Sequence, residues 1–328
     1  MPEPVNPYGR TPCVADSSTC TPVTGVARIK LFWALSRTPH GLLDMTTPAA
    51  AALLWLGNFP SLEVILIGLV TTFAGYTAVY ALNDLVDYRT DKEKLSHGGD
   101  RCQEGYLDAL MIRHPIAQGA LSLGEGLAWA LAWGFLALVG AYLLNPVCVV
   151  IFLGGCLFEA IYCLLLKITH FRTLVSGVVK NTGALAAVYA VDAAPSIGFL
   201  AVMFLWLFLW EIGGQNVPAD WADVEEDRRL GARTIPVRFG FRRSSAIAFI
   251  TLAGAVAVNI AVLCLSRAEF SPIFILASLA IGVSLLLVPG WRLFQSRDRV
   301  DAMALFNRAS YYPLAMLALI VLRLVITR

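Results

Sequence analysis

The sequence predicts an all-α polytopic membrane protein with about nine transmembrane helices. Of its 328 residues, 58% are hydrophobic and only 15% are charged, whereas about a quarter of the residues in soluble domains are charged. Apolar stretches near twenty residues recur along the chain, and this length crosses a hydrocarbon core of about 30 Å. Because lipid offers the backbone no hydrogen-bond partners, such stretches must fold as helices that close their own hydrogen bonds.

The apolar stretches follow one another as a single predicted domain, residues 29–328. The first helix is expected to start near Ile29, and the segment before it, residues 1–28, is rich in Pro, Thr and Ser without an apolar run. We expect that segment to be a flexible extension rather than a cleavable signal peptide. The predicted spans are 41–59, 62–82, 124–144, 147–167, 172–193, 196–214, 244–265, 271–290 and 310–326.

The distribution of positive charge predicts the orientation of the bundle. Most of the 25 Lys and Arg residues fall in the N-terminal segment and in every second loop, while the four opposite loops supply only Arg267. Lys and Arg collect on the cytoplasmic side of membrane proteins. We therefore expect a cytoplasmic N-terminus and an external C-terminus, with the lipid bilayer and not a nucleic acid as the macromolecular surroundings.

Two long loops on the predicted cytoplasmic side carry most of the polar residues. They cover residues 83–123 and 215–243, and each opens at the end of an apolar helix with a run of carboxylates. We interpret these cap loops as an internal pseudo-repeat, an arrangement that often places a polar site at the junction of two bundles.

The first carboxylate run continues the second predicted helix. Asn83, Asp87 and Asp91 are spaced four residues apart, and Asp84 precedes Asp87 by three. Residues three and four apart are neighbours on a helix surface. A continuing helix therefore places all four side chains on one face.

The second run repeats this arrangement after the sixth helix. Asp220, Asp223 and Asp227 stand at helical spacing, so they also form one stripe, and Glu225 and Glu226 are expected to point elsewhere. Oxygen-bearing side chains thus gather at the mouths of two helices.

Such stripes need a compensating cation. Like charges at helical spacing repel one another, and a carboxylate at membrane depth costs a few kcal/mol. Carboxylate and amide oxygens with no His or Cys nearby favour Mg²⁺ or Ca²⁺ over zinc, and Mg²⁺ commonly shares its ligands with substrate phosphates. Two alternatives stay open: a solvated acidic helix cap, and an ion-transport pathway, which would need charges threaded through the membrane rather than gathered at one face.

These patterns together resemble the UbiA-type intramembrane prenyltransferases. The resemblance rests on NDLVDYRTD after the second span, on DVEED and RRLGARTIPVRFG after the sixth, and on the nine helices, and it covers residues 29–326. It implies a helical bundle around a central cavity in which two motifs, NxxxDxxxD and DxxxD, bind a prenyl diphosphate through Mg²⁺. The implied catalytic and metal-binding residues are Asn83, Asp87, Asp91, Asp223 and Asp227, supported by Asp84 and Asp220.

The resemblance also implies a reaction. An allylic diphosphate ionises, and a nucleophilic acceptor takes up the carbocation with loss of pyrophosphate. Metal ions neutralise charge that develops on the leaving group, and a dry cavity keeps water from the cation. Aromatic faces can stabilise a cation, although ordinary packing is the commoner role for the candidate wall residues Tyr76, Tyr80, Tyr162, Tyr189 and Trp210.

One stretch departs from the family pattern. Where family members pass quickly to an RPLxxG-like sequence, this chain inserts LSHGGDRCQEGYLDALMIRHPIAQG, and His114 to Gly119 carries the resemblance. We expect this longer loop to cover the site and Arg113 to contact phosphate, because a loop arginine beside an anionic substrate can form charge-assisted hydrogen bonds.

Ionisable residues inside apolar spans are functional candidates by default. Lys180, with Asn181 beside it, lies near the expected depth of the site, and both are candidate substrate-binding residues that line the cavity. Glu211 precedes Asn216 by just over one turn and could face the same pocket. The remaining members of this group are Asp44, Glu159 and Asp192.

We therefore predict a Mg²⁺-dependent transferase. It would move a polyprenyl group from its diphosphate to a small, aromatic acceptor, as in quinone biosynthesis. Two alternatives remain within the same fold: a terpene cyclase that quenches the cation intramolecularly, and prenyl transfer to a polar lipid or a sugar phosphate. A divalent-ion carrier is the alternative from another functional class.

Overall fold

The computed structural model describes residues 25–96 and 111–326. Within these ranges the regular structure is entirely helical. The first seven helices are α1 (Val26–Leu35), α2 (Thr38–Asp44), α3 (Thr46–Leu56), α4 (Leu62–Val86), α5 (Tyr88–Ser96), α6 (Leu123–Leu144) and α7 (Pro146–Leu164). The others are α8 (Arg172–Val191), α9 (Ile197–Trp210), α10 (Val217–Ala222), α11 (Val224–Leu230), α12 (Ile235–Leu265), α13 (Pro272–Gly282), α14 (Val288–Ser296) and α15 (Arg299–Ile326).

Eight helices in the described ranges are long and apolar enough to cross a membrane. They correspond to the second to ninth predicted spans, so the all-helical membrane fold is confirmed. Two of the eight contain π-helical segments, at Glu211–Asn216 between α9 and α10 and at Val283–Leu287 between α13 and α14. Residues 1–24 of the predicted extension, which covers residues 1–28, lie outside the described residues. The end of the predicted extension is helical, since α1 begins at Val26.

The first predicted span is the one that differs. Between Val26 and Leu56 the chain forms three short helices instead of one long helix. Arg37 adopts a left-handed conformation (φ 43°) at the start of α2, and Pro39, which lacks an N–H donor, sits in the first turn. Hydropathy alone does not register this break, because the residues on both sides are apolar.

The two predicted cap loops are largely helical in their described parts. The first contains α5, and residues 97–110 lie outside the described ranges. The second contains α10, α11 and the start of α12. These short helices are rich in charged residues, so a search for apolar stretches passes over them.

The spans close into a ring around a central space. Successive spans pack against one another, α3 packs on α8, and α15 returns to contact α2 and α3. Two buried tryptophans of α9 reach α15 within the main core: Trp206 donates a hydrogen bond to the hydroxyl of Tyr312 (3.1 Å), and Trp210 donates to the carbonyl of Ala309 (3.0 Å). These pairings satisfy indole N–H groups that would be costly to leave unpaired at this depth.

At the ends of the spans that lie away from the carboxylate motifs, α3 packs tightly against the segment that follows α12. We call this contact the clamp. Gly57 ends α3 with φ +69°, and a β-carbon placed on it would lie 2.7 Å from the carbonyl oxygen of Arg267. Arg267 in turn hydrogen-bonds through its N–H to the carbonyl of Leu54 (3.2 Å) and covers the ring of Trp55. The glycine therefore allows the first and seventh spans to meet closely.

We predict that Gly57→Ala destabilises the folded bundle. The left-handed conformation alone costs about 1–2 kcal/mol for a residue with a β-carbon, and the contact with Arg267 adds to it. Thermal unfolding in detergent should show a lower Tm for Gly57→Ala and an unchanged or higher Tm for the control Gly154→Ala, a helical glycine with open space around it. Equal Tm values for the two variants would contradict this account of the clamp.

Candidate active site

Both carboxylate motifs face one cavity. The cavity has a volume of about 630 Å³, within the range of about 300–1,000 Å³ usual for small-molecule sites. It extends from the motifs toward the opposite ends of the spans, where α3 and α4 supply apolar walls. The motif side chains on its lining are Asn83, Asp87, Asp91, Asp220, Asp223 and Asp227.

The first motif follows the end of α4 with only a slight break. Asp87 caps α4, its N–H bonds to the carbonyl of Asn83 (2.9 Å), and the N–H of Asp91 bonds back to the carbonyl of Asp87 (2.8 Å). The helical spacing predicted for this motif therefore persists into α5. Asp84 is buried and turned from the cavity lining toward Arg37 (3.7 Å) and His114 (3.2 Å).

The second motif lies across the break between α10 and α11. Asp220 is on α10, Asp223 occupies the junction, and Asp227 follows one turn later, with its N–H bonded to the carbonyl of Asp223 (2.9 Å). Asp220 and Asp227 are buried. Glu225 is exposed, as predicted.

Two cations lie between the motifs. Lys94 extends from α5 to within 3.6 Å of Asp227. Arg172, at the start of α8, pairs with Asp220 (3.2 Å) and stacks over the ring of Tyr162 (4.1 Å), while its charge also acts on Asp87. The side chains of one motif are thus balanced by cations that also reach the other.

Arg113 ties the inserted loop to the second motif. Its guanidinium donates to Asp223 (2.9 Å) and to Glu226 (3.1 Å), and only 8% of the residue is exposed. Glu226 is not on the cavity lining, as expected, but it faces the loop from α11 and shares the arginine with Asp223. Arg113 lines the cavity.

His114 joins the same loop to the first motif. Its Nδ1 lies 2.9 Å from Asp91 and 3.2 Å from Asp84, and one ligand atom from each of the three residues falls within a span of 4.8 Å. Burial opposes a charged ring, but the charges of Asp91 and Asp84 outweigh it and hold the pKa of His114 above its usual value. The expectation that no His lies near the carboxylates is wrong, because His114 is far from Asp84 and Asp91 in sequence but contacts both in the fold.

A cysteine also approaches the first motif. The side-chain amide of Asn83 donates to Glu159 (2.6 Å) and to the sulfur of Cys163 (3.3 Å), both on α7. Cys163 in turn bonds to the carboxylate of Asp87. Because the amide nitrogen of Asn83 faces α7, its amide oxygen points away from α7. Arg37 donates to that oxygen at 3.4 Å.

The remaining carboxylates are only partly compensated. Burial and the charge of Asp91 raise the pKa of Asp87, and burial together with the charge of Asp223 raises the pKa of Asp227 despite the approach of Lys94. Asp223 differs, since Arg113 and Lys94 outweigh burial and lower its pKa. Burial and neighbouring negative charge both disfavour the ionised form of a carboxyl group, and both therefore raise its pKa.

The donor set fits a hard divalent cation. Buried oxygens of Asp220 (Oδ2) and Asp227 (Oδ1) have no hydrogen-bond partner, and the cavity lining offers the oxygens of Asn83, Asp87 and Asp91 opposite them. Unpaired buried carboxylate oxygens are costly, and oxygen ligands of this kind suit Mg²⁺.

The two predicted substrate-binding residues on α8 take different positions. Lys180 lines the cavity and pairs with Asp44 (2.7 Å). Asn181 is fully buried beside it and donates to the carbonyl of Gly177 (2.7 Å), so it supports the wall of the cavity. Among the aromatic candidates, Tyr76, Tyr80 and Tyr162 lie on the cavity lining.

Sequence reasoning missed Lys94, His114, Arg172 and the role of Glu226. None of the four has a spacing that marks it, because each meets its partner across separate elements. A signal did exist for Arg172: it opens an apolar span at the predicted depth of the motifs, and a cation there needs a partner.

The chain matches a family model over most of its length. The model describes the UbiA prenyltransferase family, and it matches residues 45–312. The match includes both carboxylate motifs and the helices that carry them.

Relatives with two different activities align with the chain. A digeranylgeranylglyceryl phosphate synthase from Thermococcus sibiricus is 26% identical over 222 residues, 68% of this chain and 73% of the relative. A 4-hydroxybenzoate octaprenyltransferase from Tolumonas auensis is 27% identical over 229 residues, 67% of this chain and 73% of the relative. The acceptors named for the two relatives belong to different chemical classes.

Solved structures share the fold. A UbiA homolog from Aeropyrum pernix K1 superposes with a TM-score of 0.71 at 20% identity, covering 87% of this chain and 98% of that one. A UbiA homolog from Archaeoglobus fulgidus bound to GPP and Mg²⁺ gives a TM-score of 0.62 at 18% identity, covering 88% of this chain and 99% of that one.

We predict strong coupling between Arg172 and Asp220. Removing one partner of a buried ion pair leaves an uncompensated charge, which costs about 3–5 kcal/mol. Arg172→Met and Asp220→Asn should each lower the Tm measured in detergent without added metal, and the double variant should lose less than the two single losses combined. Additive losses would contradict the pairing, and Arg228→Met, which removes an exposed pair with Glu225, is the control that should change the Tm little.

Proposed function

The chain belongs to the UbiA prenyltransferase family and is an intramembrane prenyltransferase, and on this premise we propose that it transfers a prenyl group from its diphosphate to a small acceptor in a Mg²⁺-dependent reaction. The observation that supports the proposal is the meeting of the two carboxylate motifs on one cavity. The solved relative bound to GPP and Mg²⁺ supports the same assignment of donor and metal.

The residues of the two motifs would bind the diphosphate of the donor through Mg²⁺. Asn83, Asp87 and Asp91 on one side and Asp223 and Asp227 on the other would hold Mg²⁺. Bound there, Mg²⁺ would neutralise the charge that develops on the departing pyrophosphate.

The cationic side chains beside the motifs extend this stabilisation. Arg113 and Arg172 are buried at the cavity wall, and arginine forks match phosphate oxygens well. In their present pairs with Asp223 and Asp220 they are positioned to turn to phosphate once a cation takes over the carboxylates. Asp84 and Asp220 would support the ligands of each motif.

The apolar part of the cavity suits the prenyl chain. Its walls carry small residues of α4, α6 and α8, among them Gly68, Ala137 and Ala186. Such walls leave space for an isoprenoid and exclude water from the carbocation. A carrier of divalent ions would have no use for a long apolar chamber behind the motifs.

We infer that the acceptor is a small aromatic compound, as the relative named for 4-hydroxybenzoate suggests. A polar lipid is the second candidate, favoured by the relatives named digeranylgeranylglyceryl phosphate synthase. The two are separated by incubating the purified protein with geranyl diphosphate and a panel of phenols and glycerol ethers, with product identification by mass spectrometry. An acceptor-independent cyclic product would instead favour a cyclase.

We predict that Asp87→Asn and Asp223→Asn each abolish transfer. Each change removes a carboxylate from one motif, and oxygen ligands of reduced charge hold Mg²⁺ poorly. Turnover, measured as pyrophosphate release, should fall by at least about 100-fold, as for the loss of other transition-state charge stabilisers. Glu225→Gln, an exposed change on α11, is the matched control and should keep wild-type turnover; full activity in either aspartate variant would remove that residue from the site.

We propose that the motifs face the cytoplasm, as the distribution of Lys and Arg predicts. Cysteines introduced at Arg89, on the motif side, and at Ser61, at the far end of α4, are both exposed positions. In a background with Cys13, Cys20, Cys102 and Cys264 all replaced by Ser, a membrane-impermeant maleimide should label Ser61→Cys in intact cells and Arg89→Cys only after lysis. The reverse pattern would contradict this orientation.

A further inference from the structure

A second polar cluster lies deeper in the cavity than the diphosphate motifs. We call it the mid-cavity cluster: it is formed by His40, Asp44, Tyr80, Ser176, Lys180 and Glu211, all of which line the cavity. Lys180 follows Arg172 by eight residues on α8, and Glu211 precedes Asp220 by nine. At 1.5 Å per residue the cluster lies on the order of 12 Å beyond the motifs.

Among the fully buried polar atoms of the cluster, one carboxylate oxygen has no hydrogen-bond partner. Lys180 Nζ and the hydroxyl of Tyr80 both donate to Oδ2 of Asp44, the lysine at 2.7 Å. Ser176 donates to Oε1 of Glu211 at 2.7 Å. Oε2 of Glu211 has no hydrogen-bond partner, and Lys180 Nζ stands 3.9 Å from it, beyond hydrogen-bond distance.

The unpartnered oxygen is a buried one. Glu211 is only 6% exposed, and a carboxylate oxygen without a partner at this depth is costly. Glu211 also begins a π-helical segment that ends at Asn216. Such segments in helices occur frequently at functional sites, and here the segment places Glu211, Gln215 and Asn216 on the cavity lining.

The polar cluster occupies one side of the cavity and leaves the other apolar. At the same depth on α4, Tyr76 turns toward Thr47 on α3, with their hydroxyls 3.5 Å apart, whereas the neighbouring Gly75 faces Phe152 of α7. A prenyl chain fits the side of the cavity formed by Gly75 and Phe152, because it would bury no charged side chain there. The side of Asp44 and Glu211 is then free for a different, polar group.

We propose that the mid-cavity cluster binds the polar head of the acceptor and that it selects a neutral or cationic head over an anionic one. This rests on the proposed prenyl transfer. A hydroxyl or amine of the acceptor donates to Oε2 of Glu211, the buried cluster oxygen that has no hydrogen bond. The cluster sets two carboxyl groups, those of Asp44 and Glu211, against the single ammonium of Lys180, so the head of a carboxylate or phosphate acceptor meets an excess of acidic groups there and is disfavoured.

The selection is tested with three acceptors that differ in one group: 4-hydroxybenzyl alcohol, 4-hydroxybenzylamine and 4-hydroxybenzoate. With geranyl diphosphate and Mg²⁺, kcat/KM for the alcohol and the amine should exceed that for the benzoate by at least about tenfold, the effect of one close charge contact. In the double variant Asp44→Asn, Glu211→Gln the local charge becomes positive, and the benzoate should become the preferred acceptor. Lys180→Met should shift the preference further against the benzoate.

The preference ratio is the decisive readout, since a merely structural cluster would lower all three rates together. A wild-type preference for benzoate, or an unchanged ratio in the double variant, would overturn the proposal. If none of the three compounds is prenylated, the deciding measurement is their effect on the Tm of the donor-bound protein. A rise in Tm with the alcohol or the amine that is lost in the Glu211→Gln variant supports the site. No rise in Tm overturns it. Failure of the proposed function would show separately, as wild-type protein that neither binds geranyl diphosphate with Mg²⁺ nor releases pyrophosphate.

Discussion

Carboxylates buried in a membrane cavity are the constraint on which the rest of the structure depends. Six aspartates from two motifs surround one end of the cavity or lie just behind its lining, and each is costly there unless a cation compensates it. The chain supplies part of the compensation itself through Lys94, Arg113, His114 and Arg172. One oxygen each of Asp220 and Asp227 still has no hydrogen-bond partner. The negative charge that the chain's own cations leave uncompensated is what makes the cavity suited to Mg²⁺ and a diphosphate.

The same constraint accounts for the irregular backbone around the cavity. Asp87 and Asp223 sit where one helix gives way to the next, and Glu211 starts the π-helical segment. Arg37 adopts a left-handed conformation just before α2, from where it reaches Asn83 and Asp84. Uninterrupted helices would satisfy their backbones more simply. The breaks instead direct polar side chains from several elements toward one volume.

Much of the fold follows from the sequence because lipid leaves few choices. Apolar length predicts eight of the nine spans, and spacing alone groups Asn83, Asp87 and Asp91 on one face. Periodicity is local information, however, and contacts across the bundle are not local. Arg172 meets Asp220 from another helix, and His114 returns to Asp91 from a loop with no helical period. The broken first span was missed for a related reason, since a hydropathy average over about twenty residues merges the short polar turn from Ser36 to His40 with the apolar residues on either side.

The likeness to known proteins leaves the acceptor as the chemical question. Relatives named for a hydroxybenzoate and for a glyceryl phosphate align with this chain over similar lengths and at similar identity, so the motifs themselves do not decide it. The mid-cavity cluster is where the decision belongs, because it lies within the cavity, beyond the motifs, and carries its own charge balance. Under the two proposals, the carboxylate motifs activate the donor and the mid-cavity cluster selects the acceptor within the same cavity.

The central claim is that both motifs hold the diphosphate through shared divalent metal. The most direct measurement is anomalous diffraction from crystals grown with Mn²⁺ in place of Mg²⁺ and with geranyl diphosphate. The account predicts metal peaks between the motifs, with ligands from Asp87 or Asp91, from Asp223 or Asp227, and from the diphosphate. Metal held only by Asp84, Asp91 and His114, or diphosphate bound without metal, would contradict it.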